Sequence, residues 1–119
     1  MGITQIIGTL GEDAAANYLR KKGYIIKKRN FRIKTGEIDI IAAAPDGCMV
    51  FVEVKTRKST EYGYASEFVN YAKQQRIKRA ALIYAGEDTL MRFDIIEVYY
   101  EARQNTMYVT KFNHIKDAF

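Results

Sequence analysis

The chain has 119 residues, of which 48% are hydrophobic and 28% charged, and its formal net charge is +5. A chain of this size can bury a core without disulfides or metals, so we expect one folded domain spanning residues 1–119. The single cysteine, Cys48, excludes an intramolecular disulfide, and the single histidine, His114, argues against a zinc site. No apolar run reaches membrane-spanning length and no secretion signal is recognisable, so we expect a cytoplasmic protein without membrane contact.

A first helix is predicted over residues 4–22, where apolar residues recur at helical spacing and Gly23 provides the stop. Its inward face is expected to carry Ile3, Ile7, Leu10, Ala14 and Tyr18. A strand over residues 24–32 follows.

A β-hairpin is predicted next, with strands over residues 36–44 and 48–56 joined by a tight turn at 45–47. Side chains alternate along a strand. One face should therefore carry the apolar residues Ile38, Ile40, Ala42, Val50, Val52 and Val54. The other face should carry Glu37, Asp39, Ile41, Phe51, Glu53 and Lys55. A turn centred on Asp46 pairs Asp39 with Glu53 and Glu37 with Lys55, and a one-residue slip would mix the two faces.

The second half is predicted to add one helix and two strands. A polar loop over residues 57–66 contains Tyr62 and Tyr64, which either stack on unpaired bases or cap the core; we favour the cap. A helix over residues 67–84 should direct inward Val69, Ala72, Ile77, Ala80, Ala81 and Tyr84. With strands at 91–100 and 107–110, this order predicts an α/β fold with a mixed central β-sheet flanked by α-helices.

Two further residues and one pair have simple structural interpretations. We expect Cys48 to be a packed apolar residue and His114 an ordinary surface residue. Arg92 and Asp94 should form an ion pair on either side of a buried Phe93.

The candidate chemical centre is the pair of acids predicted to face each other in the hairpin. Asp39 and Glu53 would have Cβ atoms about 4.5 to 5.5 Å apart, and carboxylates at that distance repel. A hard divalent cation, or the ammonium of Lys55 on the same face, would compensate them. Ordinary hairpin charges form a solvated network, but each acid here interrupts an otherwise apolar strand, where an unpaired charge is costly. The pattern therefore favours a function for this pair.

Positive charge is concentrated in one stretch of the chain. Residues 20–34 contain no acid and eight basic residues, namely Arg20, Lys21, Lys22, Lys27, Lys28, Arg29, Arg32 and Lys34. Because the total is +5, the remaining residues carry a net charge of −3. Such a patch is expected for binding a phosphate backbone; its alternative is a solvated helix end followed by a strand with polar residues outward. We favour nucleic acid, since acids are absent from the whole stretch.

The candidate nucleic-acid contacts combine this patch with residues after the hairpin and on the second helix. They are Lys27, Lys28, Arg29, Arg32, Lys34, Arg57, Lys73 and Arg76. For the two helical residues, Lys73 and Arg76, a solvated helix face is the commoner explanation.

Several strings together resemble the YraN-like family of small bacterial proteins. They are Gly8 with Gly11-Glu12, Gly23-Tyr24, Arg29-Asn30-Phe31-Arg32, Gly36-Glu37-Ile38-Asp39, Phe51-Val52-Glu53-Val54-Lys55-Thr56-Arg57 and Arg92-Phe93-Asp94. The wider group that the chain resembles is the restriction-endonuclease-like superfamily, whose signature is Asp, a gap, then Glu-x-Lys. Archaeal Holliday-junction resolvases are members of similar size and element order.

This resemblance implies an α/β core with a mixed sheet, Mg²⁺-dependent phosphodiester cleavage, and duplex or branched DNA as the substrate. By this resemblance, the signature residues in this sequence are Asp39, Glu53 and Lys55. The resemblance also implies that Glu12 is the acid that many members add from a helix.

The residues suggest the same chemistry on their own. Asp39 and Glu53, with the carbonyl of Val54, would hold Mg²⁺ or Mn²⁺ and leave positions for a phosphate oxygen and water. Lys55 would orient or deprotonate the attacking water and offset charge on the phosphorane. Glu12 either adds an outer-shell ligand or is a first-turn acid favoured by the helix dipole if the helix starts near Leu10.

The sequence thus predicts a single nuclease-like domain that binds DNA and cleaves it with Mg²⁺ or Mn²⁺. Glu37 either pairs with Lys55 or joins the metal shell. One alternative is a non-catalytic nucleic-acid-binding module, in which Lys55 only neutralises the acids. Another is an accessory protein that docks on a DNA-processing partner through its strand edge. A homodimer is compatible with cutting a symmetric junction.

Overall fold

The computed structural model describes residues 2–61 and 69–119. Its elements in chain order are α1 (Ile3–Lys21), β1 (Ile25–Ile33), β2 (Gly36–Ala43), β3 (Met49–Lys58), α2 (Tyr71–Ala85), β4 (Met91–Arg103) and β5 (Thr106–Ile115). A short 3₁₀ turn, Ser59–Glu61, follows β3. The predicted roles of Tyr62 and Tyr64 lie outside the described residues, as do the first two residues of the predicted second helix.

The five strands form one mixed sheet in the order β1-β2-β3-β4-β5. The neighbours β1–β2, β2–β3 and β4–β5 are antiparallel, whereas β3 and β4 are parallel. Parallel neighbours need a crossover connection, and the segment between β3 and β4 carries α2. The predicted α/β class with a mixed sheet and flanking helices is therefore confirmed, and the arrangement is compatible with a restriction-endonuclease-like fold.

The two helices cover opposite faces of the sheet. The core on the α1 face includes Ile40, Ala42, Val50 and Val52. The core on the α2 face includes Ile38, Ile41, Phe51 and Ile77. The predicted position of Ile38 on the face of Ile40 was wrong. The alternation of side chains along β2 is interrupted between Ile38 and Ile40. On the neighbouring strand β1, Asn30 lies between the residues that pair with these two isoleucines, and its backbone is in the left-handed region (φ 53°).

Helix α1 packs on the sheet through its small residues rather than its large ones. The buried residues of α1 are Gly11, Ala15, Ala16 and Leu19. The predicted stripe was wrong at its N-terminal end, since Ile3 is 72% and Leu10 43% exposed. A Cβ on Gly11 would lie 2.0 Å from Thr56 Oγ1, so the helix approaches β3 too closely for larger side chains.

The β2–β3 register is the predicted one, because Ile40 pairs with Val52 and Ala43 with Met49. The observed pairs end at Ile40–Val52, although β2 begins at Gly36 and β3 continues to Lys58. The two strands therefore part just before the acids. Beyond that point β3 pairs with β4, which is why Arg57 and Lys58 are strand residues and not the predicted loop.

Other differences follow from pairing and capping. Helix α2 begins later than predicted because the Asn70 side chain caps it, accepting a hydrogen bond from Lys73 N. Strand β5 is longer than predicted because it pairs along most of its length with β4. On α2, Ala72 and Tyr84 are exposed, contrary to prediction. No helix within the described ranges is long and apolar enough to cross a membrane.

The interpretations of Cys48 and of the Arg92–Asp94 pair are confirmed, and that of His114 was wrong. Cys48 is buried, and Arg92 Nε lies 2.9 Å from Asp94 Oδ1 beside the buried Phe93. The side chain of His114 is only 6% exposed, and its Nε2 lies 2.7 Å from Asp94 Oδ2. A buried carboxylate on β4 attracts the imidazole inward, a contact that the sequence position of His114 does not indicate.

Gly11→Ala is expected to lower the free energy of unfolding by roughly 1–3 kcal/mol, because the new methyl group collides with Thr56. The matched control is Gly8→Ala on the same helix, where a Cβ meets nothing within 4 Å. The control should be neutral or stabilising, since alanine favours helix by about 1 kcal/mol over glycine. Urea denaturation measures both variants, and a stabilising Gly11→Ala would contradict the packing of α1 on β3. Combining Gly11→Ala with Thr56→Ala should recover part of the loss.

Candidate active site

The candidate site lies where β2 and β3 separate. Asp39 Oδ2 accepts a hydrogen bond of 2.8 Å from the backbone N of Val54. A side-chain oxygen of β2 thus satisfies a backbone donor of β3 just beyond the last observed pair of these two strands. Glu53, the residue before Val54, is buried with 8% of its surface exposed. The divergence therefore places two carboxylates in the gap between two otherwise apolar strands.

Two clefts reach these acids from opposite sides of the sheet. The α2-side cleft has a volume of about 210 Å³, and Asp39 and Glu53 share its lining with Glu37, Lys73 and Arg76. The α1-side cleft has a volume of about 560 Å³, and its lining includes Glu12 together with Asp39 and Glu53. The structure thus brings together three of the four predicted catalytic residues around one opening.

The acids raise one another's proton affinity. Burial, followed by the charges of Glu53, Glu12 and Glu37, raises the pKa of Asp39 to about 7, although the hydrogen bond from Val54 N opposes this shift. Burial also raises the pKa of Glu12, while Arg29 lowers it. Such crowding of carboxylates in a cleft is typical of functional sites, because a surface network would disperse the charge.

Lys73 is the lysine that contacts the acid pair. Its Nζ lies 2.7 Å from Glu53 Oε1. Lys73 precedes the buried Ile77 by one helical turn, so both side chains point to the sheet. Close packing at Gly36 brings this part of α2 in, since a Cβ there would lie 2.8 Å from the carbonyl oxygen of Arg76. The sequence predicted Lys73 as a phosphate contact. Its spacing of four residues from the apolar Ile77 could have indicated that its side chain points to the sheet.

Lys55 occupies a different position from Lys73. Strand alternation puts it on the same side of β3 as Glu53, as predicted, and its side chain is half-buried. It does not line either of the two clefts described above. The predicted pairing of Glu37 with Lys55 was wrong, because Glu37 Oε1 lies 3.2 Å from Arg32 Nε on the neighbouring strand β1.

Glu12 is held from the helix side. It lies in the third turn of α1, which begins at Ile3, so the interpretation as a first-turn acid was wrong. Arg29 Nη2 lies 3.9 Å from Glu12 Oε1 and 2.7 Å from Asp13 Oδ1. The remaining interpretation, an outer contributor to the acid site, is compatible with its place in the α1-side cleft.

Half of the predicted nucleic-acid contacts are engaged with acids inside the protein. Arg29 pairs with Asp13, Arg32 with Glu37, Lys73 with Glu53, and Arg57 Nε lies 3.1 Å from Oε2 of the buried Glu97. These pairs reduce the charge that each cation can offer to a phosphate. Four exposed candidates form no ion pair with any described residue: Lys27, Lys28, Lys34 and Arg76.

The carboxylate oxygens suit a hard divalent cation in chemistry, but not as a complete protein cage. Within residues 2–61 and 69–119, no three Asp, Glu, His or Cys side chains are placed to hold a metal ion. Mg²⁺ is usually bound by one or two carboxylates and completes its shell with water and substrate phosphates. A two-acid site with an open cleft is therefore sufficient for that ion.

Comparison with known proteins gives the family. The model of the "Uncharacterised protein family UPF0102" matches residues 11–98, and the chain belongs to that family. This confirms the predicted YraN-like resemblance at the level of the family. A "UPF0102 protein" of Caldicellulosiruptor bescii is 47% identical over 118 residues, covering 95% of this chain and 96% of that protein.

Two further relatives have comparable length and similarity. A UPF0102 protein of Caldanaerobacter subterraneus is 47% identical over 117 residues, covering 95% of this chain and 93% of the relative. One from Alkaliphilus oremlandii is 46% identical over 119 residues, covering 95% and 97%. The similarity therefore extends across both the acid site and the elements that position it.

Asp39→Asn is expected to change how stability depends on pH. The pKa of Asp39 is about 7 in the folded state against an ordinary value of 3.8, so the folded protein holds this proton more tightly. The stability that the protonated Asp39 contributes is complete below about pH 4 and is lost as the pH rises towards 7. The asparagine side chain can still accept a hydrogen bond from Val54 N, and it carries no charge. At pH 8 the free energy of unfolding of the variant should therefore exceed that of the parent by roughly 1–3 kcal/mol.

Urea denaturation between about pH 4 and pH 8 measures this difference. Asp88→Asn, in an exposed turn after α2, is the matched control and should follow the parent at every pH. Parallel stability profiles for the parent and Asp39→Asn would contradict the crowding of acids described here.

Proposed function

We propose that this protein is a nuclease that cleaves the phosphodiester backbone of DNA, duplex or branched, with Mg²⁺ or Mn²⁺. The observation that carries the proposal is the placement of Asp39 and Glu53 where β2 and β3 diverge, open to clefts on both sides. The sequence resemblance to the restriction-endonuclease-like superfamily and to archaeal Holliday-junction resolvases supports the same chemistry. Asp39, Glu53 and Lys55 match the superfamily's spaced signature.

The residues that would hold the metal are Asp39 and Glu53. Val54 N occupies Oδ2 of Asp39 and Lys73 occupies Oε1 of Glu53, so the second oxygen of each carboxylate receives no hydrogen bond from a described residue. Glu12, in the α1-side cleft, would contribute from the outer shell. When bound, the metal ion would polarise the scissile phosphate and lower the pKa of a coordinated water.

Two lysines would have different roles at the site. Lys73 neutralises Glu53, since a buried and unpaired carboxylate would be costly. Lys55 follows Glu53 on the same side of β3 and has no acid partner among the described residues. Its ammonium would orient the attacking water and neutralise the charge that develops on the phosphate oxygens.

The DNA-binding surface would be formed by the exposed cations that form no ion pair with a described residue. Lys27, Lys28 and Lys34 lie on or next to β1, which is at the edge of the sheet beside β2. Arg76 lines the α2-side cleft together with Asp39 and Glu53. A backbone bound along these residues would pass next to the acids, and its phosphates would replace the solvent around the cations.

A non-catalytic nucleic-acid-binding module is the second candidate function. The observation that favours it is the Glu53–Lys73 contact, together with the lack of a three-ligand group among the described residues. In that case Lys73 would be a permanent counter-ion for Glu53, and the acids would shape the cleft without binding metal.

Cleavage assays separate the two candidates. Purified parent protein is incubated with Mg²⁺ or Mn²⁺ and with linear duplex, nicked, flapped and four-way-junction DNA, and we expect at least one of them to be cut. Asp39→Asn and Glu53→Gln should lower the cleavage rate by about 100-fold or more and weaken Mn²⁺ binding measured by calorimetry. Asp88→Asn, an exposed acid outside the site, should retain the parent's rate.

Lys55→Ala should also lower the cleavage rate by about 100-fold, but with DNA and Mn²⁺ affinities close to those of the parent. Its proposed interactions belong to the transition state and not to the ground-state complexes. Lys21→Ala, at the exposed end of α1, is the matched control. If the parent binds these DNAs and cuts none with any divalent ion, and Lys55→Ala merely loses stability, the binding-module function is correct.

DNA affinity should fall steeply with salt, with a slope of about −0.9 per phosphate contact in a double-logarithmic plot. Charge reversal at Lys27, Lys28 and Lys34 together should flatten this slope, because within residues 2–61 and 69–119 no acid pairs with these cations. Fluorescence anisotropy at several salt concentrations measures the slope. Reversal at Lys111 on β5, at the opposite sheet edge, serves as the comparison. An unchanged slope in the triple variant would place the DNA surface elsewhere.

A further inference from the structure

A further polar cleft, besides the two at the acids, lies at the C-terminal end of α1. It has a volume of about 270 Å³. Its polar lining consists of Tyr18, Lys22, Tyr24, Asp46, Arg92, His114 and Lys116. We call it the Tyr24–His114 cleft. Lys22 follows Glu12 by ten residues, so at about 1.5 Å per helical residue the two sites are roughly 15 Å apart along α1.

Two lining residues, Arg92 and His114, contact a buried carboxylate beneath the cleft, that of Asp94, whose hydrogen-bonding capacity is fully used. Asp94 is completely buried and accepts from Arg92 Nε at 2.9 Å, Arg92 Nη2 at 3.0 Å and Asp117 N at 2.9 Å. His114 Nε2 lies 2.7 Å from Asp94 Oδ2. Burial raises the pKa of Asp94, but these hydrogen bonds outweigh it and lower the pKa, so Asp94 carries its charge and fixes both Arg92 and His114.

Most of the polar groups that line the opening are hydrogen-bond donors, and Asp46 is the one carboxylate in the lining. Arg92 Nη2 donates to the Tyr24 hydroxyl oxygen at 2.8 Å, and no described residue accepts the hydrogen of that hydroxyl. Arg92 Nη1 likewise has no acceptor within the described part of the chain. Lys22 and Lys116 are exposed lining residues, and neither forms an ion pair with a described residue. Lys22 Nζ lies 5.7 Å from the centre of the ring of Tyr18, which also lines the cleft.

The cleft offers fewer acceptors than donors. Asp46 Oδ1 accepts from Cys48 N at 3.0 Å, so one carboxylate oxygen of Asp46 is left to face a guanidinium and two ammonium groups in the same lining. Those three cationic groups would repel a metal cation, and an apolar ligand would leave the donors unsatisfied. An oxyanion satisfies them instead. Donors that converge from an arginine, a tyrosine and two lysines suit a tetrahedral group with three or four acceptor oxygens better than a planar carboxylate with two.

We propose that the Tyr24–His114 cleft is a phosphate-binding site, separate from the acid centre, in which Tyr24, Arg92, Lys22 and Lys116 bind one phosphate group. Arg92 and Tyr24 are fixed in place before the ligand arrives, so few side chains need to be ordered on binding. The two exposed lysines supply the long-range attraction. The phosphate comes either from a free anion or nucleotide or from a nucleic-acid strand, and the chemistry of the cleft is the same for both.

The single histidine of the chain makes the test direct, because its ring gives one unique set of NMR signals. Sodium phosphate is titrated into the parent protein at constant ionic strength, with sodium chloride as the reference, while the His114 ring signals are followed at constant pH. We expect a saturable shift with phosphate and none with chloride. A second series uses one short oligonucleotide with and without a 5′-phosphate, and its comparison with free phosphate identifies the source.

Variants assign the response to the cleft. Lys22→Gln combined with Lys116→Gln should weaken phosphate binding by about tenfold or more, and Tyr24→Phe should weaken it by removing one donor. Lys21→Gln removes the same charge one residue earlier, outside the lining, and should bind like the parent. Asp39→Asn should also bind like the parent, so this proposal and the proposed nuclease function can fail separately.

Circular dichroism checks that each variant is folded. The lysines are exposed, so folding is expected to be retained. Saturable shifts with either phosphate source that weaken in the double lysine variant support the proposal. Shifts that are absent with both sources, equal to those with chloride, or unchanged in the double lysine variant would overturn it. Loss of the response in Asp39→Asn would overturn it as well, because the phosphate would then report on the acid centre.

Discussion

The hydrogen bond from Val54 N to Asp39 determines how the rest of the site is built. Antiparallel strands that separate leave backbone donors without partners, and a buried donor without an acceptor costs free energy. Here the carboxylate of Asp39 accepts that donor, and in doing so it is held in a gap beside Glu53. The same contact that allows β2 and β3 to part therefore imposes a concentration of negative charge, which the surrounding structure must balance.

The balance comes from cations on two elements, β1 and α2. Lys73 on α2 contacts Glu53, Arg29 on β1 lies between Asp13 and Glu12 of α1, and Arg32 contacts Glu37. A basic stretch in a sequence therefore has two uses in this protein. Some of its members stabilise the folded acids, and the exposed remainder is available to an external phosphate. Only the structure separates the two groups, because both have the same composition.

The sequence predicted the features that depend on local pattern. Strand alternation and the turn at Asp46 gave the observed β2–β3 register, and the order of elements gave the mixed sheet. Features that depend on distant contacts were not predictable in this way. The buried face of α1 is decided by the approach of Gly11 to Thr56, and His114 is drawn inward by Asp94 on another strand. The orientation of Lys73 needed the packing of α2 at Gly36.

The two polar regions differ in a way that follows from their hydrogen bonding. Burial raises the pKa of Asp94 beneath the Tyr24–His114 cleft, but its hydrogen-bond donors outweigh that effect and lower the pKa, and the groups left for a ligand are mainly cationic. At the divergence of β2 and β3, burial and the charges of the neighbouring carboxylates raise the pKa of Asp39, and the groups left for a ligand are mainly anionic. One region is thus suited to an anion and the other to a cation. Helix α1 connects them, with Glu12 near the acids and Tyr18 at the Tyr24–His114 cleft, and its close packing on β3 fixes their separation.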